Sequence, residues 1–380
     1  MKIALCLFKY YPFGGLERDF LNIATALERC GHEIHIYTMK WQGDIPENFN
    51  VNLLKINGHS NHKRALSFSN HIKKIKLTKQ YDVIIGFQRM AGLDFYFAAD
   101  VCFARSAQQK HGFWYRLTPR YRHYLQLEKM LMQSAATILH LSPFEKRDYQ
   151  YYYNVPDARF QALTANVRRN DKDKQQMQAI KNRVRQVLKV NPQEHMLLMV
   201  GSDYKRKGVA RALHALAAQQ SPQIKLFIAG KGKVKPMLKL TRSLGLNSQV
   251  IFLGARDDVA DLMCAADVLL HLAHEETAGK VILEALTFGL PVLVTENCGY
   301  AFHVKNAQAG ELIRQPAQQA NLNQTLKQFL QADLSFYRTN ALKYAANTDM
   351  YSMLEQIVQL VESRKPAAAT CRVTQDSVVA

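Results

Sequence analysis

The sequence predicts an α/β protein made of two Rossmann-like β/α/β domains facing a central cleft. Three observations predict it. Apolar runs of strand length alternate with helix-period segments along most of the 380 residues. Glycines fall where a strand hands over to a helix, at Gly14 and Gly15, at Gly208 and at Gly279. A strongly polar stretch over 166–185 separates two series of such units, and the strand pattern restarts at Met196.

Residues 2–9 alternate into a first strand, Gly14 and Gly15 turn the chain, and residues 17–30 form a helix with Leu21, Ala24 and Leu27 on one face. Gly31 stops that helix, and a second strand begins at Glu33. Further strands are expected at 51–56, 82–87, 137–141 and 160–163. After a boundary near 164–175, strands are expected at 196–200, 225–229, 250–252, 268–272 and 292–295, with a helix over 209–218. The expected division is therefore 1–165 and 166–349. A last helix near 350–363 packs back on the first domain, and 364–380 has lost its period and reads as a tail.

Hydrophobic residues make up 48% and charged residues 21%, a balance that supports a core. The six cysteines are scattered without a CxxC and read as free thiols, which fits a reducing, cytoplasmic setting. The N-terminus reads as a strand rather than a secretory signal, and no run approaches the roughly 20 apolar residues of a membrane span. The net charge of +19 is the unusual number. It points to a polyanionic partner: a nucleic acid, an anionic membrane or a phosphorylated glycolipid.

The chain is organised around residues 267–289. A buried strand leads into a turn of Glu275, Glu276, Thr277, Ala278 and Gly279, and a helix leaves at Lys280 and Val281. Free N–H groups at such a helix start attract an anion, above all phosphate. Glu276 and Glu284 bracket the turn, separated by roughly 12 Å or less at helical rise. That matches the reach from sugar to ribose in a nucleotide sugar, with the diphosphate on the N–H groups between. Glu284 is flanked by Val281, Ile282, Leu283, Ala285 and Leu286, and a carboxylate among apolar neighbours has a purpose or a partner.

Arg206 and Lys207 precede Gly208 at the other strand-to-helix turn. They are either a solvated basic loop or cations that neutralise charge on a departing phosphate. Gly14 and Gly15 are either a tight turn or a close approach to a ligand. There is no GxGxxG and no acid at the end of the second strand, which disfavours a dehydrogenase. Asp171-Lys172-Asp173 is reminiscent of a metal-holding aspartate pair, but no strand leads to it, and the 13 histidines show no ligand spacing. No metal is expected. Residues 103–132, from Phe103 to Met132, carry six basic residues and six aromatics against the single acid Glu128, and 63–79 adds a second basic helix. This composition suits an anionic membrane boundary, with a plain solvated helix that buries its aromatic face as the alternative. RNA binding lacks any RNP, KH or zinc pattern.

Several of these segments together resemble the family-four glycosyltransferases of the GT-B fold, and in particular the lipopolysaccharide core glucosyltransferases. They are LFKYYPFGGLERDF, GFQRMAGLDFYFAADVCFA, FWYRLTPRYRHY, VGSDYKRKGV, ARDDVADLMCAADVLLH, EETAGKVILEA and GLPVLVTENCGYA. The resemblance implies retaining transfer of glucose from UDP-glucose to the inner-core heptose of lipid A-core, without a metal, at the cytoplasmic face of the inner membrane. By position it implies Gly15 and Asp19 as donor contacts and Arg206 and Lys207 as the diphosphate clamp. It also implies Glu276 as the sugar anchor, Glu284 as the ribose anchor, and Asp100 as an acid on the sugar or acceptor side. Residues 255–259 are similar to the loop that holds uracil. The chain departs from the family where a Pro-Pro-Gly turn is usual. It reads Thr164-Ala165-Asn166-Val167-Arg168-Arg169, so that Arg168 or Arg169 stands in for the basic contact beyond. Lys280 also occupies a position that is commonly apolar. The alternatives are a sibling transferase with another UDP-sugar or glycolipid acceptor, and a basic nucleic-acid-binding protein.

Overall fold

The computed structural model describes residues 1–12, 14–110, 112–315 and 317–364. The chain forms two compact units, one of residues 1–166 with the segment from Tyr351 onward, the other Val167–Met350.

The first unit holds a sheet of β1 (Lys2–Cys6), β2 (Glu33–Thr38), β3 (Asn50–Leu53), β4 (Val83–Gly86), β5 (Phe95–Ala98), β6 (Thr137–His140) and β7 (Phe160–Ala162). Their order is 3-2-1-4-5-6-7 and every pair is parallel. The helices are α1 (Gly15–Arg29), α2 (Asn61–Leu77), α3 (Phe103–Lys110), α4 (Pro119–Met132) and α5 (Pro143–Tyr153). In α1, Phe20, Ile23, Ala24 and Leu27 recur at helical spacing and are buried, which seats that face on the core. Proline at the first position and a Ser142–Glu145 capping box start α5.

The second unit repeats the plan with β8 (His195–Val200), β9 (Ile224–Ala229), β10 (Val250–Gly254), β11 (Val268–His271), β12 (Val292–Thr295) and β13 (Gly310–Ile313), in the order 10-9-8-11-12-13, all parallel. Around it lie α6 (Lys174–Val187), α7 (Val209–Ala217), α8 (Val234–Ser243), α9 (Val259–Ala265), α10 (Lys280–Thr287), α11 (Ala301–Ala307), α12 (Gln319–Gln331) and α13 (Leu334–Asn347). The strands are near-continuous apolar runs because helices cover both faces of a parallel sheet. Leu197, Met199, Leu226, Ile228, Val268 and Leu270 join Leu213 and Leu216 of α7 in one buried cluster. The chain ends its described part with α14 (Met353–Glu362), which packs on α1 through a face that includes buried Ile357, Val358 and Val361.

The α/β class with two parallel sheets is as the sequence predicts. Two strands escape sequence reading. β5 follows β4 without an intervening helix, so no change of period marks it. β13 is a four-residue edge strand that opens on Gly310 and Glu311. Within the polar stretch 166–185, α6 begins at Lys174, and Asp173 accepts the Gln176 N–H at 2.8 Å as its cap. One member of the aspartate pair is thus engaged in starting a helix. Residues 365–380, where a tail is expected from the sequence, lie outside the described residues.

Candidate active site

In the second unit the site forms at the carboxyl ends of β8 and β11. These strands are neighbours, and the sheet order reverses between them. Loops that leave adjacent strands in opposite directions open a crevice at such a point. The two turns are joined by backbone, with His274 N–H donating to the Arg206 carbonyl at 2.8 Å. Gly208 allows this approach. It caps α7 with φ +75°, and a Cβ there would lie 1.9 Å from the Leu272 carbonyl oxygen. From the other flank, Gly299 N–H reaches the Glu276 carbonyl at 3.0 Å and Tyr300 N–H the Ala278 carbonyl at 2.8 Å. The Glu276–Ala278 backbone is therefore fixed on both sides. Gly279 then takes φ +86° as the cap of α10, whose first N–H groups, at Lys280 and Val281, have no acceptor inside the helix.

The side chains converge on one atom. Glu276 Oε2 accepts from Arg206 Nη1 and from Lys207 Nζ, both at 2.6 Å. Arg206 is 40% exposed along its side chain, whereas Lys207 and Glu276 are 13% and 14% exposed. Burial pushes the Glu276 carboxyl up, but Lys207 and Arg206 outweigh it and hold the group below the ordinary carboxylate range. Glu276 is therefore ionised at neutral pH. His271, the last residue of β11, is buried and its Nε2 has no hydrogen-bond partner. Burial, with Lys207 next, pushes its imidazole down to about 3, so the ring is neutral. Glu284 lies on α10 one turn beyond Lys280, half-buried between buried Leu283 and Ala285. Residues 255–258 link β10 to α9, and Arg256 pairs there with Asp258. Arg168 and Arg169 are exposed.

In the first unit the same topology places Gly14 after β1, where the order reverses between β1 and β4. Gly14 is the extended N-cap of α1, and the Glu17 carboxylate folds over it, so that a Cβ there would meet Oε2 at 1.7 Å. Gly15 faces open space, and Asp19 is buried on α1. Burial raises the Glu17 pKa, helped by the charge of Asp100, although a hydrogen bond from Tyr11 opposes the rise. Asp100 follows β5 and stands 3.5 Å from Arg89 Nη1. Arg89 in turn donates through Nε to Glu128 at 2.7 Å.

Glu128 is fully buried and is the hub of this region. It also accepts from the N–H groups of Phe103 and Ala104 at 2.7 and 2.9 Å, which start α3, and from Tyr153 Oη at 2.5 Å. Outward from it, Phe113 and Trp114 are 68% and 79% exposed, and Arg116, Arg120, Arg122 and Lys129 are exposed around them. The aromatic face expected to be buried in a plain helix is thus partly open at the turn before α4.

Sequence reasoning misses Glu17, Arg89, Glu128 and His271 as site residues. Glu17 has a signal, three positions beyond a helix-capping glycine. Glu128 has one as the lone acid of a basic stretch. His271 has none, because a histidine at a strand end reads as core.

The description "Glycosyl transferases group 1" matches residues 180–348, and "Glycosyltransferase Family 4" matches residues 13–163. Lipopolysaccharide glucosyltransferase WaaG of Escherichia coli K12 is 39% identical over 372 residues, covering 95% of this chain and 98% of that protein. The crystal structure of WaaG superimposes with a TM-score of 0.86 at 38% identity, over 94% of this chain and 99% of that one. Anabaena HepE, solved with UDP and glucose, shares the fold with a TM-score of 0.71 at 19% identity, over 96% of this chain and 100% of that one.

His271 has a measurable consequence. Its folded pKa of about 3 lies below the ordinary 6.5, so between those values the unfolded chain binds a proton that the folded chain does not. Stability is then complete above pH 6.5 and declines as pH falls, by at most about 1.4 kcal/mol per pH unit from this group. Urea unfolding at pH 7 and pH 5 is expected to show a larger loss for the wild type than for His271→Phe. Equal losses contradict a neutral buried ring.

Proposed function

This chain belongs to the group 1, family 4 glycosyltransferases and has their GT-B fold, and from that premise we propose that it transfers glucose from UDP-glucose to the inner-core heptose of lipopolysaccharide, with retention of configuration. The observation that carries the reading is the meeting of Arg206, Lys207 and Glu276 before the N-terminus of α10. Two cations and a helix start suit a diphosphate, and a carboxylate beside them suits sugar hydroxyls. The kinship with a lipopolysaccharide glucosyltransferase of E. coli supports glucose as the group moved and lipopolysaccharide as the acceptor.

In the proposed reaction the bond between the sugar C1 and the diphosphate oxygen breaks, and a bond from C1 to the acceptor oxygen forms on the same face. The acceptor proton passes to an oxygen of the departing phosphate, so no protein nucleophile is needed. Lys207 and the N–H groups of Gly279, Lys280 and Val281 stabilise the UDP that leaves. Arg206 closes the clamp, Glu276 accepts from the donor sugar and Glu284 from the ribose. Asp100 takes a hydroxyl on the sugar or acceptor side, with Gly14, Gly15 and Asp19 lining the donor. The chain's own cations supply the neutralisation that a metal supplies elsewhere, so turnover is expected to withstand a chelator.

The test is incubation with lipopolysaccharide truncated at the inner-core heptose and a panel of UDP-sugars, read by mass spectrometry. Addition of one hexose from UDP-glucose supports the proposal. Transfer from another UDP-sugar alone makes it a sibling transferase, and no transfer from any donor rejects it. Lys207→Ala is expected to lower kcat/KM roughly 10²-fold or more, as loss of one charge-stabilising donor does.

We further propose that the enzyme works at the cytoplasmic face of the inner membrane, held through residues 103–132. Exposed Phe113 and Trp114 amid Arg116, Arg120 and Arg122 support this. Among the described residues no helix is long and apolar enough to cross a membrane. Flotation with phosphatidylglycerol vesicles should show binding that weakens with salt and with Trp114→Ser. Binding indifferent to salt and to anionic lipid would reject the surface.

A further inference from the structure

His271 has no task in the reaction above, yet it is built into the same turn. The ring is 2% exposed and its Nε2 lacks a hydrogen-bond partner. A buried polar atom left in that state is costly, so its persistence calls for a reason. The Glu276 carboxylate is close by, with Oε2 3.9 Å from Nε2. That is too far for a hydrogen bond.

Glu276 is kept at that distance by its other partners. Both cations hold the one oxygen, Oε2, at 2.6 Å. Gly279 lies beside both the acid and the imidazole. A Cβ there would be 3.3 Å from Glu276 Cγ and 3.4 Å from His271 Nε2, so glycine leaves the short path between them clear. A displacement on the order of 1 Å would bring Oε2 within bonding reach of Nε2. Glu276 therefore has two alternative sets of partners, the cations or the histidine.

A diphosphate forces the choice. It carries more negative charge than a carboxylate, and it needs Arg206 and Lys207. A buried carboxylate that loses both cations and gains nothing is heavily penalised. We propose that His271 is a positioning residue whose Nε2–H takes over the Glu276 carboxylate when a donor's diphosphate claims Arg206 and Lys207. In that position it holds Glu276 ionised and aimed at the donor sugar. The inference rests on reading this turn as the nucleotide-sugar site.

The groups that face Glu276 are few enough for a pH profile to be assigned. Arg206 and Lys207 come from the turn before α7, His271 from β11, and Cys298 from the turn after β12, its thiol pushed up to about 12 by burial. Asp203 reaches Arg206 rather than Glu276, at 3.7 Å. An acid limb in kcat that moves with residue 271 therefore reports Glu276 in the donor complex.

The experiment compares the wild type with His271→Phe, His271→Gln and His271→Asn. It measures binding of UDP and of UDP-glucose by calorimetry, and kcat against pH. Phenylalanine fills the space without a donor, glutamine presents an N–H near the Nε2 position, and asparagine is too short to do so. Either ligand brings a diphosphate that displaces Glu276, so binding of UDP and of UDP-glucose should each weaken roughly 10-fold or more in the Phe and Asn variants, as loss of one hydrogen bond to a charged group does. The acid limb of kcat should move to higher pH in those two, and Gln should restore both. Should Phe not fold, the contrast between Asn and Gln decides the same question. UDP and UDP-glucose binding left near wild type in the Phe and Asn variants, or an unmoved acid limb, overturns the proposal. A wild type that binds no UDP overturns the nucleotide-sugar reading and this inference with it.

Discussion

One carboxylate oxygen governs the chemistry of the second unit. Glu276 Oε2 is shared by Arg206 and Lys207, and the Lys207–Glu276 pair lies where water is scarce enough for charge to matter. Without that acid, two adjacent cations would repel each other in a half-buried crevice. With it, they are held together and closer to neutral as a group, ready to exchange one anion for a stronger one. The surrounding backbone makes the exchange local. Glu276 to Ala278 is fastened by Gly299 and Tyr300 on one side, and the neighbouring His274 by the Arg206 carbonyl on the other. Only side chains are left to move, and a small shift of one carboxylate separates the two arrangements.

The first unit solves a different problem with a similar device. Glu128 is another buried acid that satisfies several donors at once, but its partners are structural: Arg89, the N-terminus of α3 and Tyr153. Through Arg89 it reaches Asp100, and so the acid at the end of β5 is tied to α4. The same helix carries exposed basic residues on its outer side. The proposed acceptor acid and the helix that carries part of the proposed lipid-facing surface are thus linked by one ion-pair chain within the first unit.

Much of this is legible in the sequence because parallel α/β sheets write themselves plainly. Buried strands are short apolar runs, helices have a period, and glycines stand at the turns that carry function. Gly208 and Gly279 are readable for that reason, and so are Arg206, Lys207 and Glu276 beside them. Pairing across about seventy residues is not readable. No local pattern says that Glu276 bonds Arg206 and Lys207, since only the adjacency of β8 and β11 brings them together. β5 and β13 escape notice for want of a helix before one and of apolar length in the other. His271 escapes it because its meaning lies in a bond it does not make.

The central claim is that the cations before α10 exchange Glu276 for a diphosphate. A crystal structure with a non-transferable UDP-glucose analogue bound tests it most directly. The exchange predicts diphosphate oxygens within hydrogen-bond distance of Arg206 and Lys207, with Glu276 released toward His271 Nε2 and the sugar hydroxyls. A diphosphate lodged elsewhere, or a Glu276 still bonded to both cations with the donor in place, would contradict it.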